Sequence, residues 1–239
     1  ARMRAAGRAA AETLAHVGRA LRPGIRADEI DTLVREHTLA QGGKPSQLGY
    51  KGFPAAVCVS PNAVVCHGIP HAHVVLGAGD IVNVDVTTEL DGYHGDCSAT
   101  FMIGDVAPRT RELVEVTRAC RDAGIAAVRH GAHLGDVGAA IVERARASKM
   151  GVVRDYGGHG IGRRMHMDPH VPHVGKRGQG PRLAAGMIFT IEPMITLGTT
   201  DVRILADGWT VVTADGMPTA QFEHTVLVTA GEPEILTQR

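Results

Sequence analysis

Four carboxylates and one histidine carry most of the chemical promise of this sequence. Asp85 and Asp96 lie on two runs rich in β-branched residues, 81–90 and 93–103, with Asp91-Gly92 between them. Asp-Gly is a strong two-residue hairpin signal, because both central positions take positive φ. With such a turn Leu90 pairs with Tyr93, Asp85 faces Ser98, and Asp96 stands two residues along on the face that carries Asp85. Diagonal neighbours of that kind are about 7–8 Å apart at Cα. A bulge or a three-residue turn would undo the parity. Two carboxylates that close among apolar residues repel unless a cation lies between them. The plainer alternative is a pair of solvent-facing acids on an edge hairpin.

Three further stretches add to the set. Residues 157–166 hold four glycines in their first six positions, with His159 and His166 on what reads as a loop. Glycines there forbid a good helix and let the backbone approach another group closely. The two histidines can serve as a ligand and a general acid, or simply sit on a flexible surface loop. Glu192 is flanked by Phe189, Ile191 and Ile195, and Glu223 lies in the apolar run 220–228. Pro193 suits a strand end at Glu192. Singly, each acid reads as a satisfied polar residue at a strand end. Together, Asp, Glu and His donors without Cys suit Mn²⁺, Fe²⁺, Co²⁺ or Zn²⁺. Four carboxylates carry the charge of two divalent ions, and such pairs, about 3.5–4 Å apart, form a hydrolytic clamp.

The elements that must position these residues come in a repeated order. Helical spacing places a helix over 2–21 (Ala10, Leu14, Val17, Leu21 inward) and a second over 28–41 (Ile30, Leu33, Val34 inward). A strand follows over 55–60, then a stretch, 61–79, that is mostly loop, then the hairpin. The pattern restarts at Pro108, with helices over 108–130 and 135–148 and strand runs at 151–154, 187–195, 209–213 and 220–228. Gly24, Glu29 and Ile30 match Gly131, Asp136 and Val137, a weak self-similarity consistent with duplicated α+β halves facing one another around a site. Residues 168–181 read as a surface excursion, and His71 and His73 as surface loop residues.

Composition narrows the classes. The 239 residues carry a formal net charge of zero, which argues against a general nucleic-acid or membrane-surface role. Aromatics are 3%, too few for a platform stacking single strands. The first residue is Ala1 rather than Met, which suits a shortened start, and no signal-peptide pattern or long apolar span is read. Cys58, Cys66, Cys97 and Cys120 lack CxxC spacing and are expected as reduced thiols in the cytoplasm. HExxH, HxxEH, GxSxG and GxxxxGK[ST] patterns are missing.

Six runs in fixed order then point to a family: CHGIP at 66–70, NVDV at 83–86, GYHGDCS at 92–98, GGHGIGRRMH at 157–166, TIEPM at 190–194 and QFEHT at 221–225. Their combination resembles type I methionine aminopeptidase over nearly the whole chain, from MRAAGR at 3–8 onward. The resemblance implies an α+β pita-bread fold: one catalytic domain, 1–239, with pseudo-symmetric helix-helix-strand halves (about 1–105 and 106–239) around a central dimetal site. It implies that Asp85, Asp96, His159, Glu192 and Glu223 hold two divalent ions (Co, Mn, Fe or Zn), with Asp96 and Glu223 bridging. It further implies that metal-activated water attacks the first peptide bond, that Glu192 accepts a proton, and that His67 and His166 act on substrate and leaving group. The methionine pocket maps to Tyr50, Phe53, Cys58, Met165 and Trp209.

Some positions depart from the family pattern: Gln47 replaces a small residue or Cys, Lys51 a His, and Met165 a Phe. The implied activity is removal of N-terminal methionine before a small second residue. The implied setting is a cytoplasmic monomer acting on nascent chains and peptides, in transient contact with ribosomes, with no DNA or membrane partner. Prolidase and creatinase relatives usually have an extra N-terminal domain, which is not read here. A non-enzymatic binding protein on this fold would have lost ligands, and all five remain.

Overall fold

The computed structural model describes residues 1–238. Among the described residues four α-helices and fifteen strands follow in the order α1 (Arg2–Ala20), α2 (Ala27–Ala40), β1 (Lys44–Pro45), β2 (Cys58–Pro61), β3 (Val64–Cys66), β4 (Ile81–Leu90), β5 (Tyr93–Met102), α3 (Pro108–Ala126), α4 (Leu134–Ala147), β6 (Gly151–Val152), β7 (Gly157–Gly160), β8 (Met167–Pro172), β9 (Ile188–Ile191), β10 (Met194–Thr196), β11 (Val202–Ile204), β12 (Val211–Thr213), β13 (Thr219–Gln221), β14 (His224–Leu227) and β15 (Glu234–Ile235), with a single 3-10 turn at Tyr50–Gly52 between β1 and β2. One sheet joins β5, β4 and, along the other edge of β4, both β1 and β2. A second runs β15-β14-β9-β7-β8, and two three-stranded sheets run β13-β10-β6 and β11-β12-β3.

The α2 and α4 starts use one device. The Arg26 N–H donates to Glu29 at 3.0 Å, and the His133 N–H to Asp136 at 2.7 Å, each acid satisfying a helix-start amide. Gly24 and Gly131, just upstream, both take positive φ (87° and 85°). Burial then assigns each helix pair a core. Val17, Ile25, Ile30 and Val34 pack with Val82, Val84 and Val86, while Leu113, Val137 and Ile141 pack with Phe189, Ile191 and Val226.

The hairpin forms as its sequence predicts. Asp91 and Gly92 take positive φ (51° and 75°), and the register pairs Leu90 with Tyr93, Asp85 with Ser98 and Thr87 with Asp96. Several other expectations are corrected. The strand expected over 55–60 begins only at Cys58, and β3 lies in the expected loop 61–79. Helix α3 stops at Ala126 rather than near 130. Its end tightens into shorter bonds (Ala127 N–H to Gly124 O, 3.2 Å; Val128 N–H to Ile125 O, 2.9 Å), and Val128 turns into the core. The glycine-rich stretch expected as a loop is strand β7, and residues 167–172 of the expected excursion form its partner β8. The run 187–195 breaks at Glu192-Pro193, because proline has no N–H for a ladder. The run 220–228 breaks opposite it, at Phe222-Glu223.

Candidate metal centre and substrate pocket

The two strand breaks explain where the glutamates stand. Above the break β9 pairs with β14 in the five-stranded sheet, and below it β10 pairs with β13 in a separate sheet. Glu192 and Glu223 occupy the gap, where the backbone leaves one ladder for the next. The hairpin closes over this gap. Gln221 O accepts from Asn83 Nδ2 (2.9 Å) and Thr100 Oγ1 (2.8 Å), and the Glu223 N–H donates to Ser98 O (3.0 Å). Thr225 Oγ1 donates to Asp96 O at 2.8 Å. Side-chain bonds of this kind dock one sheet on another without a shared ladder.

His159 enters from β7. Its Nδ1 lies 3.1 Å from Gly160 O, which assigns the proton to Nδ1 and leaves the Nε2 lone pair free. That Nε2 faces Asp96 Oδ2 at 3.6 Å and Glu192 Oε1 at 3.7 Å. One donor atom each from Asp96, His159 and Glu223 fall within 4.8 Å of one another. Neighbours orient these carboxylates: Thr87 Oγ1 donates to Asp96 Oδ1 (2.8 Å), Thr190 Oγ1 to Glu192 Oε1 (2.7 Å) and Gln221 Nε2 to Glu192 Oε2 (3.2 Å). Asp85 Oδ1 is buried with no protein partner.

Burial and mutual repulsion dominate the electrostatics. Burial, followed by the neighbouring carboxylates, drives Asp85 and Glu223 well above the usual carboxylate range. Burial pushes Asp96 up to about 7 and Glu192 up to about 8, opposed by the hydroxyl donors of Thr87 and Thr190. Burial lowers His159 to about 4, so its ring is neutral at pH 7. A site of this kind keeps its charge near neutrality by binding protons, and divalent cations can replace them. The orphaned Asp85 oxygen and a donor set of four carboxylates and one imidazole fit divalent metal ions.

A cavity of about 300 Å³ opens from this cluster. Asp85, Asp96, His159, Glu192 and Glu223 line its floor, and His67, His166, Tyr50, Phe53, Cys58, Met165 and Trp209 line its walls. Phe53 and Cys58 form a small apolar cluster with Ile69 and Trp209, in which Trp209 meets Phe53 edge-on at 5.1 Å. His166 stacks on Tyr50 (5.0 Å between centroids) and lies tilted against His159 (4.0 Å). His67, at φ 55°, lies edge-on to Tyr156 and Trp209. His71 and His73 are exposed outside the cavity, as their loop setting predicts.

Sequence reasoning missed several contributors. Thr87 was legible, since the hairpin register puts it opposite Asp96. Thr190 and Gln221 sat inside quoted motifs without a role. His173 carried no signal, because its segment read as surface. It is buried, and its Nε2 accepts the Glu192 N–H at 3.1 Å. Asp155, Tyr156, His170 and Met194 also line the cavity.

A buried carboxylate–imidazole cluster at one end of a partly apolar cavity suits a metal-dependent hydrolase. The chain belongs to metallopeptidase family M24, whose model matches residues 1–230, and within it to the methionine aminopeptidases. Methionine aminopeptidase A of Synechocystis sp. is 51% identical over 99% of this chain and 93% of its own length. Methionine aminopeptidase 1 of Mycobacterium tuberculosis is 46% identical over 98% and 91%. The solved methionine aminopeptidase from Rickettsia prowazekii superposes with a TM-score of 0.97 at 46% identity, covering 99% of this chain and 95% of that one. Prolidase from Pyrococcus furiosus, at 20% identity and a TM-score of 0.79, shares the fold alone. Among the described residues no helix is long and apolar enough to cross a membrane.

Proposed function

We propose that this chain releases N-terminal methionine from peptides and nascent chains, preferring a small second residue, with Asp85, Asp96, His159, Glu192 and Glu223 as ligands to two divalent ions. The observation that carries the reading is the convergence of these five side chains on the floor of one cavity whose apolar wall suits a thioether. The ions would be Co, Mn, Fe or Zn, with Asp96, His159 and Glu223 already close enough to offer donors together. Such ions supply a water acidified toward neutral pH and a Lewis acid for the scissile carbonyl.

The chain's own residues do the rest. Tyr50, Phe53, Cys58, Met165 and Trp209 enclose the methionine side chain and shed its water. Crowding at the pocket wall disfavours a large second residue. Glu192 accepts the proton of the attacking water as oxygen bonds to the carbonyl carbon. Neutral His166 donates a hydrogen bond to the developing oxyanion, the proton taken up by Glu192 passes to the leaving nitrogen as the C–N bond breaks, and His67 steadies the substrate. Ligands come from both halves of the chain, Asp85 and Asp96 from 1–105 and the other three from 106–239, so the whole chain acts as one catalytic unit. Action in the cytoplasm as a monomer, with transient ribosome contact, belongs to the same reading.

The test is hydrolysis of Met-Gly-Met-Met by chelated protein with Co²⁺, Mn²⁺, Fe²⁺ or Zn²⁺ added back, beside Ala-Pro and Leu-Gly. Release of methionine alone, restored by metal, is expected. Cleavage of Ala-Pro instead, or no release from folded protein with any metal, would sink the reading.

A further inference from the structure

β1 and β2 pair along the same edge of β4, and the chain between them leaves that edge. The β1 pairing ends at Pro45 opposite Thr88, and the β2 pairing begins at Cys58 opposite Asp85. Residues 46–57 make the excursion that carries Tyr50 and Phe53 into the cavity. The departure leaves the Thr87 N–H and Thr87 C=O without a strand residue opposite them on this edge, whereas Asp85 keeps Cys58 as its ladder partner, and buried backbone groups are rarely unpaired. The Ser46 N–H donates to Thr87 O at 2.9 Å. Gln47 takes up the Thr87 N–H, which donates to its Oε1 at 3.3 Å, and its Nε2 adds a donor to Asp85 O at 2.8 Å. A side-chain amide offers the donor and acceptor of a peptide unit, so Gln47 replaces the missing strand residue. A thiol or a small side chain at this position cannot.

The two residues that Gln47 grips matter for the site. Asp85 carries the unpartnered carboxylate oxygen, and the Thr87 hydroxyl donates to Asp96 at 2.8 Å. Gln47 is itself buried and lines the cavity beside Cys58. We propose that Gln47 is a positioning residue that holds the Asp85–Thr87 backbone, and with it the spacing of both aspartates, to the loop bearing the methionine pocket. The proposal rests on the metal-dependent reading above. Without the amide, the Thr87 N–H loses its partner and Asp85 C=O loses its tie to the loop, and the hairpin edge relaxes where both aspartates depend on it.

Gln47→Met keeps the volume and removes both bonds. Gln47→Glu keeps the acceptor toward Thr87 and loses the donor toward Asp85. Each is measured by Mn²⁺ calorimetry on chelated protein, by hydrogen exchange at the Thr87 amide and by KM for Met-Gly-Met-Met. In Gln47→Met, Mn²⁺ binding is expected to weaken about tenfold, as for other groups that orient metal ligands, with faster Thr87 exchange and a raised KM. Gln47→Glu is expected to fall between Gln47→Met and the parent. Parent-like Mn²⁺ affinity in folded Gln47→Met would overturn the proposal, because a space-filling role predicts that result. Should Gln47→Met not fold, parent-like affinity in Gln47→Glu overturns it equally. A parent protein that binds Mn²⁺ and releases methionine, beside variants that bind Mn²⁺ as well, discards this inference and leaves the proposed function standing. A parent that does neither discards both.

Discussion

Glu192 concentrates the competing demands on a single side chain. Its oxygens accept from Thr190 and Gln221, its backbone N–H is tied to His173, and burial still pushes its carboxyl up to about 8. At that value the metal-free carboxyl holds its proton at neutral pH; bound cations would displace it and leave an oxygen able to accept a proton from water. Glu192→Gln preserves the shape and loses the titrating oxygen. Its kcat for Met-Gly-Met-Met is expected to fall by about 10²–10⁴, the usual worth of a positioned base. The chelated variant should melt above the chelated parent, because one buried, mutually repelling carboxylate is gone. Near-normal turnover would remove the role assigned to Glu192. The hydroxyls of Thr87 and Thr190 belong to the same scale: Thr87 fixes Asp96 Oδ1 and leaves Oδ2 facing His159, and Thr190 orients the Glu192 Oε1 that faces His159.

Strand β7 shows how an element can be built against its own propensity. Glycines are poor strand formers, yet Gly157–Gly160 runs between β8 and β9 because the neighbouring backbones come too close for side chains. A Cβ on Gly158 would lie 2.1 Å from Thr190 O, so Ala there forces β7 off β9 and moves His159. Gly158→Ala is expected to cost about 1–3 kcal/mol, the range for overpacking, and to weaken Mn²⁺ binding. Gly162→Ala meets only Met167 Sδ at 3.4 Å and serves as the control, with little change in either measurement. Equal Tm values for the two variants in thermal melts would show that the close approach is not what holds β7. The paired breaks at Glu192-Pro193 and Phe222-Glu223 are the complementary device, in which ending a ladder frees a side chain to face the cavity.

At the scale of the molecule, the acid cluster links metal, pH and stability. Asp96 at about 7 and Glu192 at about 8 are raised above ordinary carboxylate values. A raised carboxylate pKa means the metal-free folded state holds protons that the unfolded chain releases. The stability this confers is present below the unfolded value and is lost as pH rises through about 7 and 8. His159 at about 4 is already neutral over that window and does not reverse the sign. Metal ions compete with these protons, so the Tm difference between Mn²⁺-loaded and chelated protein should grow from pH 6 to pH 8. Each displaced proton adds up to about 1.4 kcal/mol per pH unit. A difference that stays flat with pH would show that the cluster is already deprotonated.

Much of this molecule was legible from residues alone, for definite reasons. The Asp91-Gly92 turn set the hairpin register, and with it the shared face of Asp85 and Asp96, because side-chain parity along a strand has a period of two. The helices followed from apolar spacing, and the family from six ordered motifs. Strands of two to four residues, such as β1, β3 and β15, are too short to carry a period, and β7 and β8 are too rich in Gly, His and Pro to read as strands. The tertiary structure decided which distant groups meet. It set Glu192 and Glu223 in one gap between sheets, brought His173 beneath Glu192, and filled the open edge of β4 with Gln47. Local pattern reports what each segment prefers, whereas these contacts exist because buried backbone groups had to find partners after the segments were packed.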